Sequence, residues 1–63
     1  MVRVHLPNGS VADAKAGTVE EILAGLGLNP YEILVTSEGE LLLADDFVAE
    51  DQILETTSIV HGG

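Results

Sequence analysis

Few residues of this chain are of a type that does chemistry, and the most telling of them have no side chain. The sequence closes on Ile59-Val60-His61-Gly62-Gly63, an apolar pair, a histidine and two glycines. Taken alone, such a pair reads as a frayed end. It gains meaning if the preceding residues form a compact body from which a tail, residues 61–63, can project. The other candidates are thin. His5 and His61 approach each other if the first and last strands are neighbours, yet two histidines with no carboxylate or cysteine at ligand spacing make a poor metal site, and no metal is expected. Asp45-Asp46 and Glu50-Asp51 are adjacent carboxylates with no nucleophile nearby, the pattern of solvated connections between strands. Cysteine is absent, which removes disulfides, thiolate metal sites and any thiol nucleophile. No residue is assigned a catalytic role.

The body must therefore be sought in the pattern. A chain of 63 residues holds one domain with a thin core. At 46% hydrophobic residues and a mean hydropathy of +0.33 it is too apolar for a disordered segment. No apolar run approaches the roughly 18 residues of a membrane span, and the first residues lack the pattern of a signal peptide. A soluble, cytoplasmic monomer is expected. The formal charge of −9, with Arg3 and Lys15 the only basic side chains, repels phosphate backbones and speaks against direct nucleic-acid binding. It keeps a small apolar domain soluble, suits a salty cytoplasm, or steers the domain to a basic partner.

Val2, Val4 and Leu6 alternate with Arg3 and His5 as in a half-buried strand. Pro7-Asn8-Gly9 reads as a hairpin turn into a second strand near Val11. Thr18-Val19-Glu20-Glu21 matches a capping box, with Val19, Ile22, Leu23 and Leu26 on one helical stripe and Gly27 just past the end. Ile33 to Thr36 is apolar on both faces, as a central strand buried under a helix would be. Ser37-Glu38-Gly39 turns it into a strand at Leu41-Leu42-Leu43, and Val48 to Gln52 reads as an irregular or single-turn connection. In the last strand, Ile53 to Val60, the apolar residues fall on both faces, which suggests a bulge or twist. Tyr31 and Phe47, the large aromatics, are assigned to packing. The order predicts an α+β roll, a mixed sheet with one helix on one face and the first and last strands side by side in the middle.

With those elements placed, the strand, the Pro7-Asn8-Gly9 turn, the segment TVEEILAGLGLNP, the Ser37-Glu38-Gly39-Glu40 turn, the acidic connection into Glu50-Asp51-Gln52-Ile53-Leu54 and the diglycine together resemble the ubiquitin-like β-grasp sulfur carriers. These are the ThiS, MoaD and TtuB types and the small archaeal modifier proteins. The likeness spans nearly the whole chain and divides it into a β-grasp domain, 1–60, and a flexible tail, 61–63. His61 departs from it, standing where related carriers more often have a small or apolar residue.

The resemblance implies a protein that is a substrate and not a catalyst. The carboxylate of Gly63 would be adenylated, with ATP and magnesium used by a partner resembling ubiquitin-activating enzymes. A sulfur-donating protein would then convert it to a thiocarboxylate, and a synthase or thiolase would accept the sulfur in tRNA thiolation, thiamine thiazole or molybdopterin synthesis. The LGLNP segment looks slightly closer to the tRNA-thiolation and archaeal-modifier members, and the charge means another protein must hold any tRNA. A carboxylate is a poor electrophile, so AMP must be installed as a leaving group inside another protein's ATP site. Gly62 and Gly63, without Cβ atoms, permit close backbone approach through a narrow passage at an entropic cost on ordering. Leu41, Leu43, Ile59, Val60 and His61 are the candidate partner-binding residues, the first four being equally candidates for the core. Two alternatives stand beside the carrier: a protein modifier joining Gly63 to lysines of targets, and a binding module with an inert tail.

Overall fold

The computed structural model describes residues 1–59. Strand β1, Val2–His5, turns through Pro7-Asn8-Gly9 into β2, Val11–Ala14, which pairs with it antiparallel from Val2 opposite Ala14 to His5 opposite Val11. Gly9 takes a φ of +91° to close this turn, and the Asn8 side chain caps it, accepting from the Ser10 N–H at 3.0 Å. The residue types read as a turn therefore act as one, each for its own steric reason.

Helix α1 spans Val19–Gly25 with Thr18 as N-cap. The capping box is complete: the Glu21 N–H donates to Thr18 Oγ1 at 3.2 Å and the Thr18 N–H donates to Glu21 Oε1 at 3.0 Å. The remaining first-turn donors find carbonyls outside the helix, Val19 at Asp46 (3.0 Å) and Glu20 at Ala44 (2.9 Å). At the other end the Gly27 N–H donates to the Ala24 carbonyl and the Leu28 N–H to that of Leu23, with Gly27 at φ +76°. These two bonds form a Schellman motif, which satisfies the last carbonyls and turns Leu28 back onto the core.

Thr18→Ala removes an acceptor from a helix of only seven residues and is expected to cost about 1 kcal/mol in denaturant unfolding. Glu21 adds a pH dependence. Hydrogen bonds from the Thr18 backbone and then its side chain hold the Glu21 carboxyl below the ordinary glutamate range. A lowered folded-state value contributes stability above the unfolded value and loses it as pH falls through the folded one. The stability difference between wild type and Glu21→Gln is thus expected to be present in melts at about pH 7 and to shrink as pH falls through the lowered folded-state value. A difference that persists in acid would show that charge at Glu21 is not its source.

Strands β3 (Gly17–Thr18), β4 (Ile33–Ser37), β5 (Glu40–Leu42), β6 (Phe47–Val48) and β7 (Ile53–Ser58) complete the fold. The main sheet runs β2-β1-β7-β4-β5, with β1 and β7 parallel and the other pairs antiparallel. The expected α+β roll is therefore present, a ubiquitin-like β-grasp with α1 on one face of a mixed sheet and β7 at its centre. Val2, Val4, Val19, Ile22, Leu23, Val35, Val48 and Leu54 form the core.

Three expectations are corrected. The segment 48–52 does contain a turn, the Gln52 N–H donating to the Ala49 carbonyl at 3.4 Å, but Val48 itself belongs to β6, which pairs with β3 in a two-stranded ladder and buries Val48 completely. Strand β4 is not covered on both faces: Val35 and Ser37 face the core while Leu34 is 41% exposed on the other side, since one helix covers one face only. Of the bulge or twist suggested for the last strand, the described residues show no bulge, the pairs with β4 running in register from Ile33 opposite Ser58 to Thr36 opposite Glu55. Its core face is Leu54 and Thr56, with Ile53 exposed on the other. Thr56 is admitted to the interior by donating from Oγ1 to the His5 carbonyl at 2.6 Å, which removes the cost of a buried hydroxyl. No described helix is long and apolar enough to cross a membrane.

Candidate functional site: the open sheet face and the end of the central strand

The sheet face away from α1 is assembled by register. One row across it reads Val11, His5, Glu55, Thr36 and Leu41, and the next pairs Thr57 with Leu34. Period-2 alternation places the residues between these on the core side. At the β4 and β5 end the face is apolar, with Leu34 at 41% and Leu41 at 56% exposure. Ile59, just past β7, is also exposed, and its N–H donates to the Glu32 carbonyl at 2.9 Å. The central strand thus ends, with Ile59 the last described residue, on the side of the sheet that carries exposed apolar residues.

Of the candidate partner-binding residues, Leu41, Leu43 and Ile59 are all exposed. Leu41 lies on the open face through its pairing with Thr36. Leu43 follows β5 in a turn closed by its N–H donating to Asp46 Oδ2 at 2.7 Å. Val60, His61, Gly62 and Gly63 lie outside the described residues. Leu34 belongs with Leu41 on the surface, which the doubly apolar pattern of its strand conceals. A signal for it exists in the sequence: an apolar strand of a sheet that owns a single helix has one uncovered face. Tyr31 and Phe47 do not pack as expected, for they are 88% and 69% exposed. Aliphatic side chains alone fill the core, and Phe47 points opposite to the buried Val48 on its own short strand.

The described residues build no catalytic centre. Ser37 and Thr56 are the buried polar side chains among them, and both are spent on structure. Ser37 donates to the Ile53 carbonyl at 3.1 Å and accepts from Gln52 Nε2 at 3.3 Å. Asp46 closes its turn, and Glu50 accepts from the Met1 ammonium at 2.9 Å. That hydrogen bond, helped by the opposite charge, raises the α-amino group and lowers the Glu50 carboxyl. Both partners stand well out in solvent, where such a pair contributes little. Among the described residues, what stands out is an acidic body with exposed apolar side chains on the open sheet face.

No family model matches the chain. Among curated proteins it is similar to the sulfur carrier protein TtuB of Thermus thermophilus, at 35% identity over 63 residues, 98% of this chain and 97% of that protein.

Proposed function

The chain belongs to the family of ThiS/MoaD-type sulfur carrier proteins, and on that premise we propose that the Gly63 carboxylate is the group that carries the sulfur. As a carrier it is a substrate of other proteins and not an enzyme, and such a carrier works with activating and sulfur-transfer partners. In the proposed sequence an adenylyltransferase resembling ubiquitin-activating enzymes binds ATP and magnesium and transfers AMP to Gly63, releasing pyrophosphate. Hydrosulfide delivered by a second protein then attacks the acyl carbon, expels AMP and leaves a thiocarboxylate. Sulfur transfer to tRNA, through a thiolating enzyme that holds the nucleic acid, is the acceptor reaction favoured by the LGLNP segment. The activity is placed in the cytoplasm.

One observation carries this reading. Strand β7 is the middle strand of the sheet, and Ile59, just past it, is exposed, as are Leu34, paired with Thr57 of β7, and Leu41 on the same open face. A partner that seats on those residues holds the point from which the chain leaves the central strand. Holding the reacting group by docking the body replaces a search by the free chain, the main service a carrier's fold can offer to its chemistry. No observation favours isopeptide conjugation to lysines over sulfur transfer.

The test is the intact mass of the chain after incubation with the adenylyltransferase, magnesium-ATP and a sulfur source. Exchange of one carboxylate oxygen for sulfur, with pyrophosphate released, is expected. An unchanged mass without pyrophosphate would sink the proposal. The landing area is tested with the double variant Leu34→Thr, Leu41→Thr, which keeps strand-forming residues while removing apolar surface. Its KM as a substrate for adenylation is expected to rise about tenfold or more, with a melting midpoint close to wild type because both side chains are largely solvated. An unaltered KM would move the docking surface elsewhere.

A further inference from the structure

Tyr31 stands at 88% exposure on a backbone that is held in place. The Glu32 N–H donates to the Asn29 carbonyl at 2.9 Å, and the Tyr31 N–H donates to Asn29 Oδ1 at 2.9 Å. Pro30, between them, brings a fixed φ. The four residues form a closed turn that presents the ring to water. Binding to such a turn does not require its backbone to be ordered first. Exposed tyrosine on a rigid support is also a side chain from which protein interfaces draw their anchors.

Position gives the ring a context. The turn follows the C-terminus of α1, whereas Phe47 pairs with Thr18 at the helix N-terminus, so Tyr31 is the aromatic of this end of the molecule. The Glu32 carbonyl receives the Ile59 N–H, which ties the turn to the strand from which the chain runs on to residue 60. Charge then narrows the partner. Tyr31 is followed by Glu32, and Arg3 and Lys15, the only basic side chains of the chain, lie in β1 and just past β2. An exposed π face and an exposed carboxylate on successive residues, with no cation of their own turn, suit an arginine-bearing partner, because guanidinium groups stack on aromatic rings and donate to carboxylates.

We propose that the turn of Tyr31 and Glu32 is a docking element for an arginine-bearing surface of the protein that activates Gly63. This rests on the adenylation reading above and adds to it a contact separate from the open sheet face. The element acts in binding and not in chemistry, because it belongs to the body of the carrier.

The experiment is ATP–pyrophosphate exchange by the adenylyltransferase, titrated with wild type, Tyr31→Ala, Tyr31→Phe and Glu32→Gln, with melting midpoints recorded for each. Tyr31→Ala is expected to raise KM for the carrier about tenfold with kcat unchanged, and Tyr31→Phe, which keeps the ring face, to restore it to within about twofold. Glu32→Gln is expected to raise KM about threefold at low ionic strength, fading toward about 1 M salt. An unchanged KM for Tyr31→Ala, or a Tyr31→Phe variant as impaired as Tyr31→Ala, would overturn the inference while exchange with wild type left the adenylation reading standing. No exchange with wild type at any concentration would overturn both.

Discussion

A chain ending at Gly62 is expected to form no measurable thiocarboxylate, a loss of at least about 100-fold relative to wild type under identical conditions. Deleting Gly63 displaces the carboxylate by a full residue while the docking surfaces of the body are unchanged. Adenylation demands that the attacking oxygen meet the α-phosphate of ATP at bonding geometry, and even an ångström of misplacement costs about two orders of magnitude. The shortened chain should still bind the activating protein, so it should inhibit exchange by wild type competitively. Gly62→Val tests the other half of the idea. Its carboxylate keeps its position in the chain, but a β-branched side chain narrows both the allowed φ and the room available. A fall in rate comparable to the deletion is expected, read by pyrophosphate release. Full activity of either variant would mean that the reacting group lies elsewhere.

The second large effect is on the body. Leu54 is completely buried on the middle strand of the sheet, where its Cα faces that of Val4 across the parallel β1–β7 ladder. Leu54→Ala removes buried methyl groups from a site walled by two strands and α1, which leaves little freedom to collapse. A loss of about 3 kcal/mol is expected. For a domain of this length total stability is on the order of 3 to 9 kcal/mol, so the variant stands near the edge of folding. Thermal unfolding followed by circular dichroism should show the midpoint falling by about 12 to 24 °C. A shift of only a few degrees would place the centre of the core elsewhere. Leu41→Ala, at an exposed position, serves as the comparison and is expected to shift the midpoint by little.

Local elements were legible because their causes are local. Asn8, Gly9 and Gly27 occupy positions that demand a side-chain acceptor or a positive φ, and such demands are met by residue type alone. The capping box needs only Thr18 and Glu21 three residues apart. The stripe of Val19, Ile22 and Leu23 is set by helical periodicity and is buried as that periodicity requires. The adjacency of the first and last strands followed from the order of elements and the few ways one helix can cover a small sheet.

The misjudged residues share a different origin. Leu34 and Val35 are equally apolar, and which of them is buried depends on the side of β4 that α1 covers. Thr56 carries no local sign of burial, because its hydroxyl finds the His5 carbonyl from 51 positions away, a partner invisible in any local window. Val48 owes its burial to a ladder between β3 and β6 too short to leave a periodic signature. Tyr31 and Phe47 suggest core residues by their size, although eight aliphatic residues already close the core. Residue type, spacing and the terminal diglycine determined the elements, the fold class and the kinship with sulfur carriers, because turns, caps and amphipathic stripes are governed by neighbours within a few residues. Which apolar residues face water beside the end of β7 was decided only in three dimensions, because burial belongs to a face and a sheet has two, of which this chain has material to cover one.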